Sequence, residues 1–300
     1  MSIEHIDAKV ICDSVNPVNN KRLTTFQIRV PRIILAEYNT HKQICKNFAS
    51  SRAIPARILR SEANHDPFIP VYWGKAQSGM SAETELTGWR KSVAKFLWLS
   101  ASKFAILHHW LMEKVGVHKQ ICNRVIEPWL SVTGVTTASE WDNFFKLRCS
   151  PMAQPEMRKL AEKMRDAMNA SIPRELSVNE PHLPFIDEEE RKKFSIDEQI
   201  KVSVARCCRT SYNNMLGKKS QPEEDIKLFE RATSHEHWSP CEHQGFVPKE
   251  GRITKDKQYD LQRGFRGFYQ LRSFLDNTNN THYLSDWYGV EINPKKEEQS

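Results

Sequence analysis

The chain has 300 residues, of which 39% are hydrophobic and 27% are charged, a composition that excludes an intrinsically disordered protein. No apolar run approaches the ~18 residues of a membrane span, the N-terminus lacks a signal-peptide pattern, and seven scattered cysteines indicate reduced thiols, so we expect a cytoplasmic protein. The net charge of +7 fits a nucleic-acid partner, a small phosphorylated substrate or simply a surplus of solvated lysines.

The first part of the chain predicts two paired strands followed by a helix. Residues 8–12 alternate loosely, and residues 26–30 alternate apolar and polar side chains, as strands with one buried face do. Pro31 suits the first turn of a helix, which we place at 32–45. Residues 61–80 contain two prolines and two glycines, so we expect them to be irregular.

A long helix is predicted at 83–115, where apolar residues recur every three or four positions and should form one buried stripe. The stripe consists of Leu86, Trp89, Val93, Phe96, Ser100, Phe104, Leu107 and Leu111. Further helices are predicted at 118–127 and 141–170 from apolar spacing. Capping-box patterns begin two more helices, at 196–209 and 221–234.

The segment 40–52 is the sharpest chemical feature of the chain. Its sequence THKQICKNFASSR places a His, two Lys, an Asn, two Ser and an Arg within 13 residues. Such donors suit an anion held where a helix meets the following turn. An ordinary polar helix end without a ligand is the alternative interpretation.

Three further motifs each admit two interpretations. Residues 143–156 join apolar anchors to polar groups that could hydrogen-bond a planar amide such as a pyrimidine. The sequence HEHWSPCEH at 235–243 offers either zinc ligands or polar groups facing an organic ligand. The sequence RGFRGFY at 263–269 pairs basic and aromatic side chains, as single-strand nucleic-acid binders do, or else belongs to surface structure.

Taken together, these segments resemble the flavin-dependent thymidylate synthases, the ThyX family. The family signature R-H-R-x-x-S-x-N-E-x-S-x-R is matched at 40–52 by His41, Asn47, Ser50 and Arg52, with Lys42 in place of an Arg. A later family segment, N-F-x-x-L-R-x-x-x-x-A-Q-x-E, is matched in full at 143–156.

The order of the segments differs from that of the family. Two segments that open the family sequence, A-R-x-S/C-Y/F and G-H-x-S-P-x-E-H-x-x-F, are recognisable here at 209–212 and 236–246, after all the others. The resemblance therefore implies an α+β fold, an antiparallel sheet flanked by helices, that is ThyX-like with a circularly permuted segment order. The permutation also predicts that Phe26 and Phe246 lie on the same strand line or on adjacent strands.

The resemblance implies one ThyX-like domain written in two parts. We expect a nucleotide- and flavin-binding part at 1–170, a connection at 171–195 that is rich in Pro and Glu, the remainder of the same domain at 196–275, and a polar tail at 276–300.

Members of this family are homotetramers with active sites between subunits, and the resemblance implies the same here. The implied reaction is that of an FAD-dependent thymidylate synthase: a one-carbon unit passes reductively from methylenetetrahydrofolate to C5 of dUMP, giving dTMP, with NADPH as reductant of the flavin. No cysteine nucleophile is implied. The partners are then a pyrimidine deoxynucleotide monophosphate and other copies of the chain, with no membrane; a nucleic-acid partner is not expected.

Carried over by position, the resemblance assigns roles to individual residues. Arg148 and Ser50 are the implied catalytic residues. The substrate-binding residues are Glu37, Ser50, Ser51, Arg52, Arg124 and Arg148. The FAD-binding residues are His41, Lys42, Gln43, Asn143, Leu147, Ser211, Ser239 and Glu242. No metal ligand is implied.

Three departures from the family leave the substrate open. Thr40 and Phe48 replace an Arg and a Glu of the signature, and Glu37 stands where members carry a Gln near the nucleotide. A carboxylate there repels a phosphate by about 1 kcal/mol unless an arginine pairs with it. A C5 methylase or hydroxymethylase of dCMP or dUMP for modified viral DNA, acting in a host cytoplasm, is therefore one alternative. A non-catalytic nucleic-acid-binding protein is an alternative of another class.

Overall fold

The computed structural model describes residues 4–210, 220–249 and 254–292. The strands among these residues are Asp7–Val15 (β1), Arg22–Pro31 (β2), Cys45–Phe48 (β3), Ser131–Ala138 (β4), Arg174–Glu175 (β5), Gly245–Phe246 (β6) and Tyr269–Gln270 (β7). The helices are Leu35–Tyr38 (α1), Ala56–His65 (α2), Gly88–Lys114 (α3), Lys119–Cys122 (α4), Asp142–Arg148 (α5), Pro155–Ala170 (α6), Glu188–Lys193 (α7), Ile196–Arg209 (α8), Pro222–Ser234 (α9), Lys255–Gln262 (α10), Leu271–Leu275 (α11) and His282–Tyr288 (α12). No helix in these ranges has both the length and the apolar character needed to cross a bilayer.

The main sheet has the strand order β3-β4-β2-β1-β5 and is antiparallel except where the short β5 runs parallel to β1. Strand β2 lies at its centre, and Phe26, Ile28 and Val30 are buried there against α6. The paired strands and the α+β class with an antiparallel sheet flanked by helices are confirmed.

The helix predicted at 32–45 is wrong beyond Tyr38. A 3-10 turn at Arg32–Ile34 leads into α1, which ends at Tyr38, whose buried hydroxyl hydrogen-bonds Thr136 at 2.9 Å. The chain then turns back and Cys45–Phe48 pairs with β4 as an edge strand. The edge of β4 offers backbone hydrogen-bond partners that a continued helix would not use. Because these partners are distant in sequence, local helix propensity does not predict the strand.

The predicted stripe of the long helix exists, but its predicted burial is wrong. Trp89 is 72% exposed, Phe96 68% and Phe104 64%, so this face of α3 points away from the rest of the chain. The opposite face packs on α2 and on a 3-10 turn at Asn123–Trp129, with Ser102 and His109 fully buried. The inner face therefore mixes small, polar and apolar side chains, including Ile106 and Trp98, while the most exposed large apolar side chains lie on the outer face.

The helix predicted at 141–170 is interrupted. Helix α5 ends at Arg148, and α6 begins at Pro155, because proline suits a first helical turn and has no N–H to donate to a carbonyl of a preceding turn. The capping box of Ser195 and Glu198 is present at the start of α8. No such box begins α9, since Ser220 instead donates to Asp225 at 2.7 Å.

A second layer formed by α7–α12 and the β6–β7 pair packs on the main sheet. Its core contains Leu284, Trp287 and Tyr288 of α12, so the segment expected to be a polar tail contributes buried side chains up to Ile292. The prediction that Phe26 and Phe246 share a strand line or adjacent strands is wrong. Both edges of β2 are already paired, and β6 pairs with β7 in a separate sheet instead.

Candidate functional site

Arg148, at the last turn of α5, lies between two residues of the segment around α1. Its Nε donates to Nε2 of His41 at 2.9 Å, and its Nη1 donates to Oε1 of Glu37 at 2.5 Å. The ring of His41 also meets that of Phe144 edge to face, with the centroids 5.0 Å apart. The segments 40–52 and 143–156 therefore meet in space, as the sequence motifs predicted.

His41 is neutral in this arrangement. Burial, followed by the charges of Arg148 and Lys46, lowers the pKa of His41 to about 4. A neutral imidazole can accept the hydrogen bond from Arg148, whereas a protonated ring could not. One edge of the Arg148 guanidinium group is thus held by hydrogen bonds, and the side chain is still 22% exposed for contact with a ligand.

The second group of predicted substrate residues lies at the other end of β3. Asn123 Nδ2 donates to the Ser51 carbonyl at 2.7 Å and to the Ile54 carbonyl at 3.1 Å, which brings Arg52 and Arg124 to the same part of the surface. Both arginines are exposed, and Arg124 pairs with Glu127 at 2.8 Å. Two exposed guanidinium groups beside a tight turn suit a phosphate.

The hydroxyl group of Ser51 is buried in this turn. Ser51 is 1% exposed, and its Oγ has no hydrogen-bond partner among the described residues. Buried hydroxyl groups are normally satisfied, so this unpaired one, directly before Arg52 in the chain, is unusual for the interior of a protein.

A polar cleft of about 420 Å³ opens on the far side of the His41 turn. It brings together three predicted FAD residues, the neighbours Lys42 and Gln43 and the sequence-distant Glu242. Two more cations of the lining, Lys46 and Arg263, outnumber its single carboxylate, and Glu242 is itself ion-paired with Arg272. The donor set therefore fits a large anionic cofactor with polar ring edges.

The second layer is fixed to the sheet at this place by specific hydrogen bonds. Asn47 Nδ2 donates to the carbonyl of Cys207 at 2.9 Å, and Gln270 Nε2 donates to the Glu242 carbonyl at 3.1 Å and to Cys45 Sγ at 3.1 Å. The segment 235–243 thus reaches the segment 40–52 although nearly 200 residues separate them.

A buried row of polar side chains joins the same two layers. Thr25 Oγ1 hydrogen-bonds His182 Nε2 and Thr137 Oγ1, and Thr137 Oγ1 hydrogen-bonds His243 Nδ1, each at 2.8 Å. Ser14 completes the row by bonding His182 Nδ1 at 2.8 Å. Burial lowers the pKa of both histidines to about 3, so both are neutral.

The cysteines near the site are protonated thiols. Burial, with Glu242 as the next cause, raises the pKa of Cys45 to about 12, and burial also raises the pKa of Cys149. A thiolate is the reactive form of cysteine, so neither residue is prepared to act as a nucleophile.

Several predicted FAD residues do not line the cleft. Asn143 and Leu147 are exposed on α5, and Ser239 is exposed at the start of a 3-10 turn at Ser239–Glu242. Ser211 lies outside the described residues. Asn123 and Gln270 were missed because neither belongs to a motif, and only the folded chain shows that each connects two parts of the site.

Neither the nucleic-acid-binding interpretation of RGFRGFY nor its assignment to surface structure fits the positions of its aromatic rings. Phe265, Phe268 and Tyr269 are fully buried, so the aromatic rings of RGFRGFY pack in the core and cannot stack on bases. Across the described ranges no three His, Cys, Asp or Glu side chains are grouped so that they could hold a metal ion. His243 belongs instead to the buried polar row.

Comparison with known proteins places the chain in a family. A family model described as thymidylate synthase complementing protein matches residues 21–174, just over half of the chain. Among solved structures, the chain is similar to a UMP/dUMP methylase PolB from Streptomyces cacaoi bound with 5-Br UMP, with 13% identity, a TM-score of 0.45 and coverage of 55% of this chain and 89% of that one.

It is also similar to the flavin-dependent thymidylate synthase ThyX from Helicobacter pylori complexed with FAD and dUMP, with 18% identity, a TM-score of 0.34 and coverage of 49% and 67%. No curated protein matches the sequence. The family assignment rests on the family model, whose matched region contains both signature segments and the five residues Glu37, His41, Ser51, Arg52 and Arg148. The chain belongs to the thymidylate synthase complementing protein family and is a flavin-dependent thymidylate synthase-like enzyme.

Proposed function

We propose that the protein is an FAD-dependent thymidylate synthase that transfers a one-carbon unit from methylenetetrahydrofolate to C5 of dUMP, giving dTMP, with NADPH as the source of reducing equivalents. The observation that carries the proposal is the Arg148 guanidinium held between His41 and Glu37, where two signature segments of the family meet. The flavin, when bound, supplies the redox chemistry, and the side chains bind and polarise the pyrimidine.

The residues divide into three roles. Arg148 would donate to a ring carbonyl of the pyrimidine, where a preorganised cation would stabilise the charge that develops during attack at C5. Ser50, Ser51, Arg52 and Arg124 would hold the phosphate. The cleft residues Lys42, Gln43 and Glu242 would hold FAD, together with His41, Asn143, Leu147, Ser211 and Ser239.

The distance between the proposed pyrimidine-binding residues and the proposed phosphate-binding residues supports active sites shared between subunits. Strand β3 separates the His41 turn from the Ser50–Arg52 turn, and its four residues alone span roughly 13 Å. One nucleotide would therefore contact Arg148 of one copy and Arg52 of another, as in the homotetramer implied by the family.

Glu37 supports a second candidate, a C5 methylase or hydroxymethylase of dCMP. A carboxylate accepts hydrogen bonds only, and the amino group of cytosine is a donor, whereas uracil presents a carbonyl at the same position. The permuted order of the segments remains a proposal of its own, supported by the contacts of Asn47 with Cys207 and of Gln270 with Cys45.

The decisive experiment incubates the purified protein with FAD, NADPH, methylenetetrahydrofolate and either dUMP or dCMP, and weighs the nucleotide product. A dUMP product heavier by one methylene supports the thymidylate synthase reaction. A methylated dCMP, or a product that carries a hydroxymethyl group in place of hydrogen, supports the alternative. Arg148→Ala should abolish turnover with the fold intact, and Arg165→Ala, at an exposed arginine that pairs with its neighbour Asp166, serves as the matched control. A colourless protein that takes up no FAD and makes neither product would overturn the proposal.

A further inference from the structure

The outer face of α3 is apolar over its whole length of about 40 Å. We call it the α3 face; it consists of Trp89, Val93, Phe96, Ser100, Phe104, Leu107 and Leu111. Apart from Ser100 its members are 43–72% exposed, and no described segment of the chain packs over them. A continuous apolar helix face normally packs against another part of a protein, so this face lacks a partner among the described residues.

The exposed area is large enough for a stable interface. A fully buried aromatic side chain removes 150–250 Å² from water, and three large aromatic or aliphatic residues of the face are more than 60% exposed. With the adjoining Leu97 and Trp110, which are 59% and 41% exposed, the face reaches several hundred Å². That exceeds the largest patch on most monomers and approaches the ~800 Å² that each partner contributes to a standard interface.

The order of the residues along the face identifies the partner. Counted from Ser100, the apolar residues lie 4, 7 and 11 positions before it and 4, 7 and 11 positions after it. In an antiparallel pair of identical helices crossing at Ser100, every apolar residue therefore meets an apolar residue: Phe96 meets Phe104, Val93 meets Leu107, and Trp89 meets Leu111. A partner of different sequence would not require this symmetry.

The shape of the face agrees with its sequence. A groove of about 470 Å³ lies at its middle, lined by Phe96, Leu99, Ser100, Lys103, Phe104 and Leu107. The small side chain of Ser100 lies at the crossing point, where two helix backbones come closest, and the two phenylalanines stand on either side of it. Identical grooves with projecting rings on both flanks can interlock about a two-fold axis.

We propose that α3 pairs antiparallel with α3 of a second copy about a two-fold axis at Ser100, with Phe96 of each chain packed against Phe104 of the partner subunit. This inference requires neither the flavin nor the nucleotide of the proposed function. It assigns the apolar face to one occupant, this chain itself.

The contact would also support the substrate end of the site. His109, on the inner face of α3, hydrogen-bonds Asn123 Oδ1 through Nε2 at 3.1 Å, and Asn123 holds the Ser51 carbonyl. Helix α3 thus supports the turn at 50–52 through Asn123. Pairing of two α3 helices would stabilise this support in both copies.

The test measures the assembly mass of the full chain by native mass spectrometry and sedimentation over a range of concentrations. Each single variant, Phe96→Glu and Phe104→Lys, should halve the assembly and raise the dissociation constant by at least about tenfold, because an isologous interface loses the contact twice. In the double variant Phe96→Glu/Phe104→Lys each introduced acid faces an introduced base only in the antiparallel register, so assembly should be regained. Ile172→Glu, at a side chain 92% exposed elsewhere, is the control and should leave the mass unchanged.

Circular dichroism and Tm establish that each variant is folded, and Ser100→Arg is the substitute variant, since it places like charges across the axis. A wild-type chain that is monomeric at micromolar concentration, or single variants that keep the wild-type mass, would overturn the proposal. Failure of the double variant to reassemble would overturn the antiparallel register. The product assay separates this proposal from the proposed reaction: a monomeric chain that still makes product would overturn the pairing and the shared site but not the reaction, and an assembled chain that makes no product would overturn the reaction alone.

Discussion

The Glu37 carboxylate accepts a hydrogen bond from Arg148 Nη1 at 2.5 Å, with side-chain exposures of 30% and 22% respectively. The sequence predicted that an unpaired Glu37 carboxylate would repel a phosphate. The ion pair reduces this repulsion, because the arginine offsets the negative charge of Glu37. It also means that Glu37 competes with any ligand for the guanidinium group.

Replacement of that carboxylate by an amide should favour the uracil nucleotide. In Glu37→Gln the competing charge is removed while the size is kept, so we expect dUMP to bind about three- to tenfold more tightly. If dCMP is the natural substrate, the same change should weaken dCMP binding. The carboxylate has two oxygens that accept from the cytosine amino group, whereas the amide has one accepting oxygen and one donating NH2 group. Isothermal titration with both nucleotides measures the ratio, and an unchanged ratio would remove Glu37 from the pyrimidine site.

Contiguous motifs made much of the site predictable. His41, Lys42 and Gln43 are adjacent in sequence. Their spacing to Arg52 matches the family signature, which can be recognised from the sequence alone. Asn123 and Gln270 have no such pattern, since each acts by bridging segments far apart in the chain. Bridging depends on tertiary contacts, and single-sequence patterns do not contain them.

The fold shows the same division. The period of α3 was visible, but periodicity states only that apolar residues share a face, not which neighbour covers that face. Strand β3 was mistaken for helix because its pairing with β4 is a contact between residues about 90 positions apart. Helix α2, whose second half was expected to be irregular, is stabilised by packing of Leu59 and Ala63 rather than by a strong local signal.

Gly134 in β4 should be intolerant of any side chain. A Cβ at Gly134 would lie 2.2 Å from Cδ1 of Phe48, its partner across the strands. Gly134→Ala should therefore push β3 away from β4, cost about 1–3 kcal/mol of unfolding free energy and weaken nucleotide binding at the turn that follows β3.

The double variant Gly134→Ala/Phe48→Leu tests this cause, because a smaller side chain at position 48 relieves the contact. Urea denaturation should show a smaller loss than the sum of the two single variants. Strict additivity would mean that the two residues do not press on each other.

Asn123 should be required for both stability and substrate binding. Asn123→Ala removes two donors to the Ser51 and Ile54 carbonyls and one contact with His109, all of them buried, so we expect a loss of about 2–3 kcal/mol. The affinity for dUMP should fall as well, because the turn that carries Arg52 loses its anchor. Asn64→Ala, at an exposed asparagine, is the control, and equal Tm values for the two variants would contradict the prediction.

The buried row between the two layers should make stability depend on pH. His182 and His243 have pKa values of about 3 in the folded chain, whereas an unfolded histidine titrates near 6.5. Between these values the unfolded state binds more protons, so the free energy of unfolding should fall as the pH falls below 6.5, by up to about 1.4 kcal/mol per pH unit for each histidine. Above pH 7 both states hold neutral rings, and these residues should contribute no slope.

Urea denaturation at pH 7 and pH 5 measures this term directly. In His182→Gln or His243→Gln the amide keeps hydrogen-bonding capacity but does not titrate, so the loss between the two pH values should be about 2 kcal/mol smaller than in the wild type. His235→Gln, at an exposed histidine outside the row, should leave the wild-type difference unchanged. Because both variants lower stability at every pH by some amount, only the difference between the two pH values bears on the prediction, and equal differences in all four proteins would show that the two rings are not held neutral by burial.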